Sequence, residues 1–103
     1  MHSQFVCDMS AMDVDQRARH STLAMRLRPA VETFDELADG YAARFAYAPD
    51  TVLALAEFVT LERRCCPFLT LAVRLEREDG PLWLDISGPT GAKPFIRAEF
   101  RIP

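Results

Sequence analysis

Two tight-turn sequences constrain this chain more than any other feature. Asp39-Gly40 and Glu78-Asp79-Gly80-Pro81 each lie between runs of strand-forming residues, which predicts two β-hairpins. In the first hairpin, Val31 to Leu37 pairs with Tyr41 to Tyr47. Tyr41, Ala43, Phe45 and Tyr47 alternate with Ala42, Arg44 and Ala46, as a half-buried strand requires. In the second, Leu69, Leu71, Val73 and Leu75 alternate with Thr70, Ala72, Arg74 and Glu76. Leu82, Leu84 and Ile86 alternate with Trp83, Asp85 and Ser87, and Gly88-Pro89 ends that strand.

The segments around the hairpins read as helices. The first starts near Val14, with Asp13 as N-cap and Gln16 at the capping-box position. His20, Leu23, Ala24 and Leu27 form its inward stripe, and Pro29 helps to end it. A second helix is capped by Asp50 and stopped by Pro67, with Val52, Leu55, Ala56, Phe58 and Val59 on its apolar face. A third runs from about Thr90 to Arg101, with Pro94 tolerated in its first turn and Phe95, Ile96 and Phe100 facing the core. The order α-β-β-α-β-β-α gives an α+β fold. It is a four-stranded antiparallel sheet with helices on one face. Residues 1–12 form an apolar arm, carrying Phe5, Val6, Cys7 and Met9, that packs on a single domain spanning residues 13–103.

Length and charge narrow the function. With 103 residues the chain makes one domain, with room for one core that needs no disulfide to hold it. Twelve basic and fifteen acidic residues give a net charge of −3, which argues against a nucleic-acid partner. No apolar run of membrane-spanning length occurs, so no membrane partner is expected. Asp8, Asp13 and Asp15 near the start and the lack of a signal-type apolar core point to a cytoplasmic protein. Three cysteines, Cys7, Cys65 and Cys66, then read as reduced thiols, and adjacent cysteines are too strained to bond to each other.

The chemistry concentrates at the end of the second helix. At about 100° per residue, Glu62 projects between Leu55 and Phe58 on the apolar face. Cys66 lies about 40° to one side and Cys65 about 60° to the other. Neighbouring thiols are soft ligands for mercury, arsenite, copper(I) or zinc. Equally, buried cysteines often only fill space. A carboxylate on an apolar face needs a partner, for which an arginine such as Arg17 is a candidate. His20 is a further candidate ligand or a satisfied core residue. Cys7 joins the set if the arm folds back. Three thiolates suit mercury or arsenite, and adding His20 suits zinc. Gly88-Pro89-Thr90-Gly91-Ala92-Lys93 superficially looks like a phosphate loop, but Ala92 interrupts the pattern and Pro94 replaces the hydroxyl residue.

Glu62-Arg63-Arg64-Cys65-Cys66-Pro67-Phe68-Leu69 resembles a segment of a group of small uncharacterised bacterial proteins. The likeness extends to Phe5-Val6-Cys7-Asp8-Met9, Arg17-Ala18-Arg19-His20, Asp39-Gly40-Tyr41 and Gly88 to Lys93. The Glu-x-x-Cys-Cys-Pro-Phe segment also looks like ones found near or fused to metal-responsive regulators of the mercury-sensor type. The resemblance implies a link to heavy-metal or metalloid handling and supplies no catalytic residues. Three readings follow. The first is a soft-metal or zinc site made of Cys65, Cys66, Cys7, Glu62 and His20. The second is a non-enzymatic module that forms a homodimer through the sheet face bearing Tyr41, Phe45 and Tyr47 or the one bearing Trp83. The third is a small cysteine-dependent enzyme, for which no oriented base or oxyanion donor can be named.

Overall fold

The computed structural model describes residues 5–103. Its three α-helices are α1 (Val14–Leu27), α2 (Pro49–Cys65) and α3 (Lys93–Glu99). The strands are β1 (Val31–Leu37), β2 (Gly40–Phe45), β3 (Thr70–Leu75) and β4 (Leu82–Ser87), in one antiparallel sheet of order β1-β2-β4-β3. The fold is α+β in the expected order. The hairpin alternation did not disclose that β4 inserts between β2 and β3. The crossover through α2 therefore carries the chain over β4 to the far edge.

The capping box at Asp13 is present with both reciprocal hydrogen bonds, so α1 begins where its sequence says. The start of α2 differs from expectation. Pro49 occupies the first turn and Ala48 is the N-cap without a side-chain bond, so Asp50 lies inside the helix. There its charge still favours the positive end of the dipole. At the other end, Pro67 pushes Cys66 out of helical geometry and α2 stops at Cys65. The third helix is shorter than expected. Gly91, at φ 90°, and Pro94 set its start at Lys93, and Arg101, at φ 53°, lies just past its end at Glu99. Lys93 donates to the Leu37 carbonyl at 2.7 Å and lies over the Tyr41 ring. It ties α3 to the first hairpin.

One sheet face carries Phe34, Ala43, Phe45, Leu84 and Ile86 against the helices, where Leu23, Leu27, Leu55, Phe58 and Ile96 complete the core. Tyr41 and Phe45 are buried on this face under the helices, so of the three contact residues expected there Tyr47, beyond the end of β2, is the exposed one. The opposite face is polar. Arg74 makes a two-pronged pair with Asp85, lies over the Trp83 ring and also pairs with Glu76. Arg44 pairs with Glu32.

Gly40 is required because a Cβ there would collide with the Ile86 carbonyl across the β2–β4 pair. The second turn uses Glu78 and Asp79, both at φ 58°, where left-handed backbone costs a side-chain-bearing residue.

Residues 1–4 of the expected arm lie outside the described residues, and its described part, residues 5–12, packs on the domain. Phe5 meets Phe68, and Phe68 meets Phe95, each at 5.2 Å between ring centroids. Met12 is 1% exposed. The Asp8 amide donates to the Cys65 carbonyl at 2.8 Å, which satisfies one of the open carbonyls at the end of α2. No helix among the described residues is long and apolar enough to cross a membrane.

Candidate functional site: a buried thiol and carboxylate cluster

Helix α2 presents Glu62 and Cys65 inward one turn apart, and Cys66 follows at the helix end. Glu62 is 3% exposed and is the buried charged residue among those described. Cys65 and Cys66 are also buried. The arm brings in Cys7 from the opposite side, so ligand atoms of Cys7, Glu62, Cys65 and Cys66 all lie within 4.8 Å of one another. Four of the five residues singled out from sequence thus converge.

The fifth, His20, comes to the same place in another role. Its Nε2 lies 2.8 Å from Glu62 Oε2, and its ring stacks on Phe58. His20 is therefore the partner that a buried carboxylate needs. Arg17, the partner considered from sequence, instead donates Nη1–H to the Met12 carbonyl. The first helix could not reveal this choice, because both residues lie within a turn of each other and only packing decides which one meets α2.

The second carboxylate oxygen faces the sulfurs. Glu62 Oε1 is 3.0 Å from Cys66 Sγ and 3.5 Å from Cys65 Sγ, and the two sulfurs are 3.7 Å apart. Cys65 Sγ also lies 3.5 Å from the Glu62 carbonyl oxygen. Burial pushes the Cys65 thiol up to about 12, with the Glu62 charge and its hydrogen bond acting in the same direction. A thiol held protonated in this way is a poor nucleophile at neutral pH, which disfavours Cys65 as a catalytic cysteine.

One expectation from sequence is corrected. Reduced thiols alone were expected, yet Cys7 and Cys66 are joined as a disulfide, with Cα atoms 4.7 Å apart, and Cys65 is the free cysteine. The strain argument against bonding neighbours holds, since Cys65 and Cys66 remain separate. What spacing could not show is the arm returning across 59 positions to bring in Cys7. The apolar Phe5-Val6-Cys7 stretch was the available clue. In the bridged form Cys66 has no proton to give, so Glu62 Oε1 accepts from Cys66 only after reduction.

A cavity of about 140 Å³ opens beside the cluster, between α1, α2 and the sheet. Leu27, Phe34, Phe45, Leu55 and Phe58 line its apolar part, Glu62 and His20 form its polar wall on the cluster side, and Arg28, Glu99 and Arg101 add charged groups to the lining. No protein-family model, no curated protein and no solved structure matches this chain, so the geometry of this cluster carries the functional reading.

Proposed function

We propose that the reduced chain binds one soft, thiophilic ion, of mercury(II), arsenic(III) or zinc, through Cys65, Cys66 and Cys7. Glu62 supplies an oxygen donor, and His20 holds the Glu62 carboxylate in place. The supporting observation is the convergence of three sulfurs and one carboxylate within 4.8 Å, inside a buried part of a small domain. Sulfur-rich donor sets select soft ions, and a mixed set of three sulfurs and one oxygen also suits tetrahedral zinc. The resemblance of Glu62 to Leu69 to segments near mercury-sensor-type regulators points the same way.

Loading requires the Cys7–Cys66 bond to open first. Two electrons and two protons from a cellular dithiol convert the bridge to two thiols, and the reductant leaves as its own disulfide. The oxidised form is then the closed state of the site and the reduced form the receptive one.

The test is a titration of the fully reduced protein with mercury(II), arsenite and zinc, read by native mass spectrometry. One ion per chain is expected for at least one of them, and none in the oxidised protein. Absence of stoichiometric binding, or binding that survives Cys65→Ser with Cys66→Ser, would overturn the reading.

A further inference from the structure

The geometry points to a ligand more specific than a bare ion. We propose that the site takes a soft centre carrying one small apolar organic group, a monosubstituted arsenic(III) or mercury(II) species, with that group housed in the adjoining cavity. This rests on the thiol reading above and adds the substrate class.

The cluster and the cavity share one wall. Glu62 lines the cavity, and the same carboxylate stands 3.0 Å from Cys66 Sγ and 3.5 Å from Cys65 Sγ. An atom held by the two sulfurs is therefore one side chain away from apolar space. A bare ion makes no use of that space. The cavity is partly open and mostly apolar, so it can admit and cover a small apolar group next to the ligand site. Its volume, about 140 Å³, matches apolar cavities of roughly 150 Å³ that accept benzene. Leu27, Phe34, Phe45, Leu55 and Phe58 give it walls suited to an aryl or branched alkyl group.

The sulfur spacing fits the other end of such a ligand. Cys65 Sγ and Cys66 Sγ are 3.7 Å apart, close enough for one trivalent arsenic to bridge. The step balances without an oxidant. An organoarsenic oxide, R–As=O, reacts with two thiols to form two As–S bonds, the As=O oxygen leaves as water with both thiol protons, and arsenic stays trivalent. The carbon–arsenic bond is kept, and R is the group the cavity receives.

The experiment uses the reduced full chain and two probes, phenylarsine oxide and arsenite. Affinities are read by native mass spectrometry in competition with a free small dithiol, which cancels the intrinsic difference between the probes. The phenyl probe is expected to gain about tenfold or more over arsenite on that scale, the factor for burying a phenyl-sized apolar group. Ala24→Leu and Ala43→Leu each add volume to the cavity wall. Each should remove most of the phenyl advantage while leaving arsenite binding intact, which also shows that the variant is folded. Arsenite binding with no phenyl advantage, or an advantage untouched in both variants, overturns this inference and leaves the thiol reading standing. Failure of both probes to bind overturns this inference, and if the reduced chain also fails to bind mercury(II) and zinc, the thiol reading falls with it.

Discussion

Reducing the Cys7–Cys66 bridge should lower stability by about 3 kcal/mol, and the structure allows this figure to be worked out. The bond closes a loop of 59 positions. In the chain-entropy treatment, a loop of about 60 residues removes roughly 14 cal/mol/K from the unfolded ensemble, or about 4 kcal/mol at 25 °C. Reduction returns one favourable contact, because the new Cys66 thiol can donate to Glu62 Oε1 at 3.0 Å. A hydrogen bond of that kind is worth about 1 kcal/mol, which leaves about 3 kcal/mol. Urea unfolding with and without a phosphine reductant measures the difference, and the thermal midpoint should fall by at least about 12 °C in a chain of this length. Cys7→Ser should reproduce the reduced value under oxidising conditions, while Cys65→Ser should keep the response to reductant. A loss below about 1 kcal/mol would refute the reasoning, since the arm would then constrain little of the unfolded chain.

Other perturbations probe the same region and the turns. His20→Ala leaves Glu62 buried without its partner and should cost about 2–3 kcal/mol. In a double-mutant cycle with Glu62→Leu the loss should be strongly non-additive, and additive values would deny the pair its role. The Cys65 thiol is held up to about 12 against an ordinary value of 9.0, so its contribution is complete below pH 9 and fades as pH rises toward 12. At pH 10.5 the oxidised protein should have lost about 2 kcal/mol relative to pH 8, and Cys65→Ala should abolish most of that slope in chemical denaturation. Replacing Glu78 by Gly relieves a φ of 58° and should raise stability by about 1 kcal/mol, visible as a higher melting temperature. Leu55→Ala, at a fully buried position, should cost about 2–5 kcal/mol by urea denaturation.

The fold was legible in the sequence because its punctuation is local. Asp13 and Gln16 state where α1 begins, Cys66-Pro67 states where α2 ends, and the alternation around Asp39-Gly40 and Glu78 to Pro81 states where strands turn. Where local signals compete, the reading slipped. Pro49 took the first turn that Asp50 was expected to cap, and α3 was shortened by Gly91 with Pro94 at its start and by left-handed Arg101 past its end. Long-range pairing was not legible. Helical projection placed Glu62 and His20 on inward faces, but only the packing of α1 on α2 makes them partners. The order of strands and the closure of Cys7 on Cys66 likewise depend on contacts between distant segments, and no spacing rule encodes them.

The hydrogen bond from the Asp8 amide to the Cys65 carbonyl has a consequence of its own. That amide is shielded from solvent only while the arm is seated, so its deuterium uptake records how often the arm lifts. The bridge and the end of α2 share this one contact. Breaking the bridge should therefore speed exchange at Asp8 and at the last turn of α2 together, by more than at amides in β2 and β4, which gain only through the lower global stability. A single backbone proton then serves as a clock for the redox state of the site, readable in a protein that bears no label.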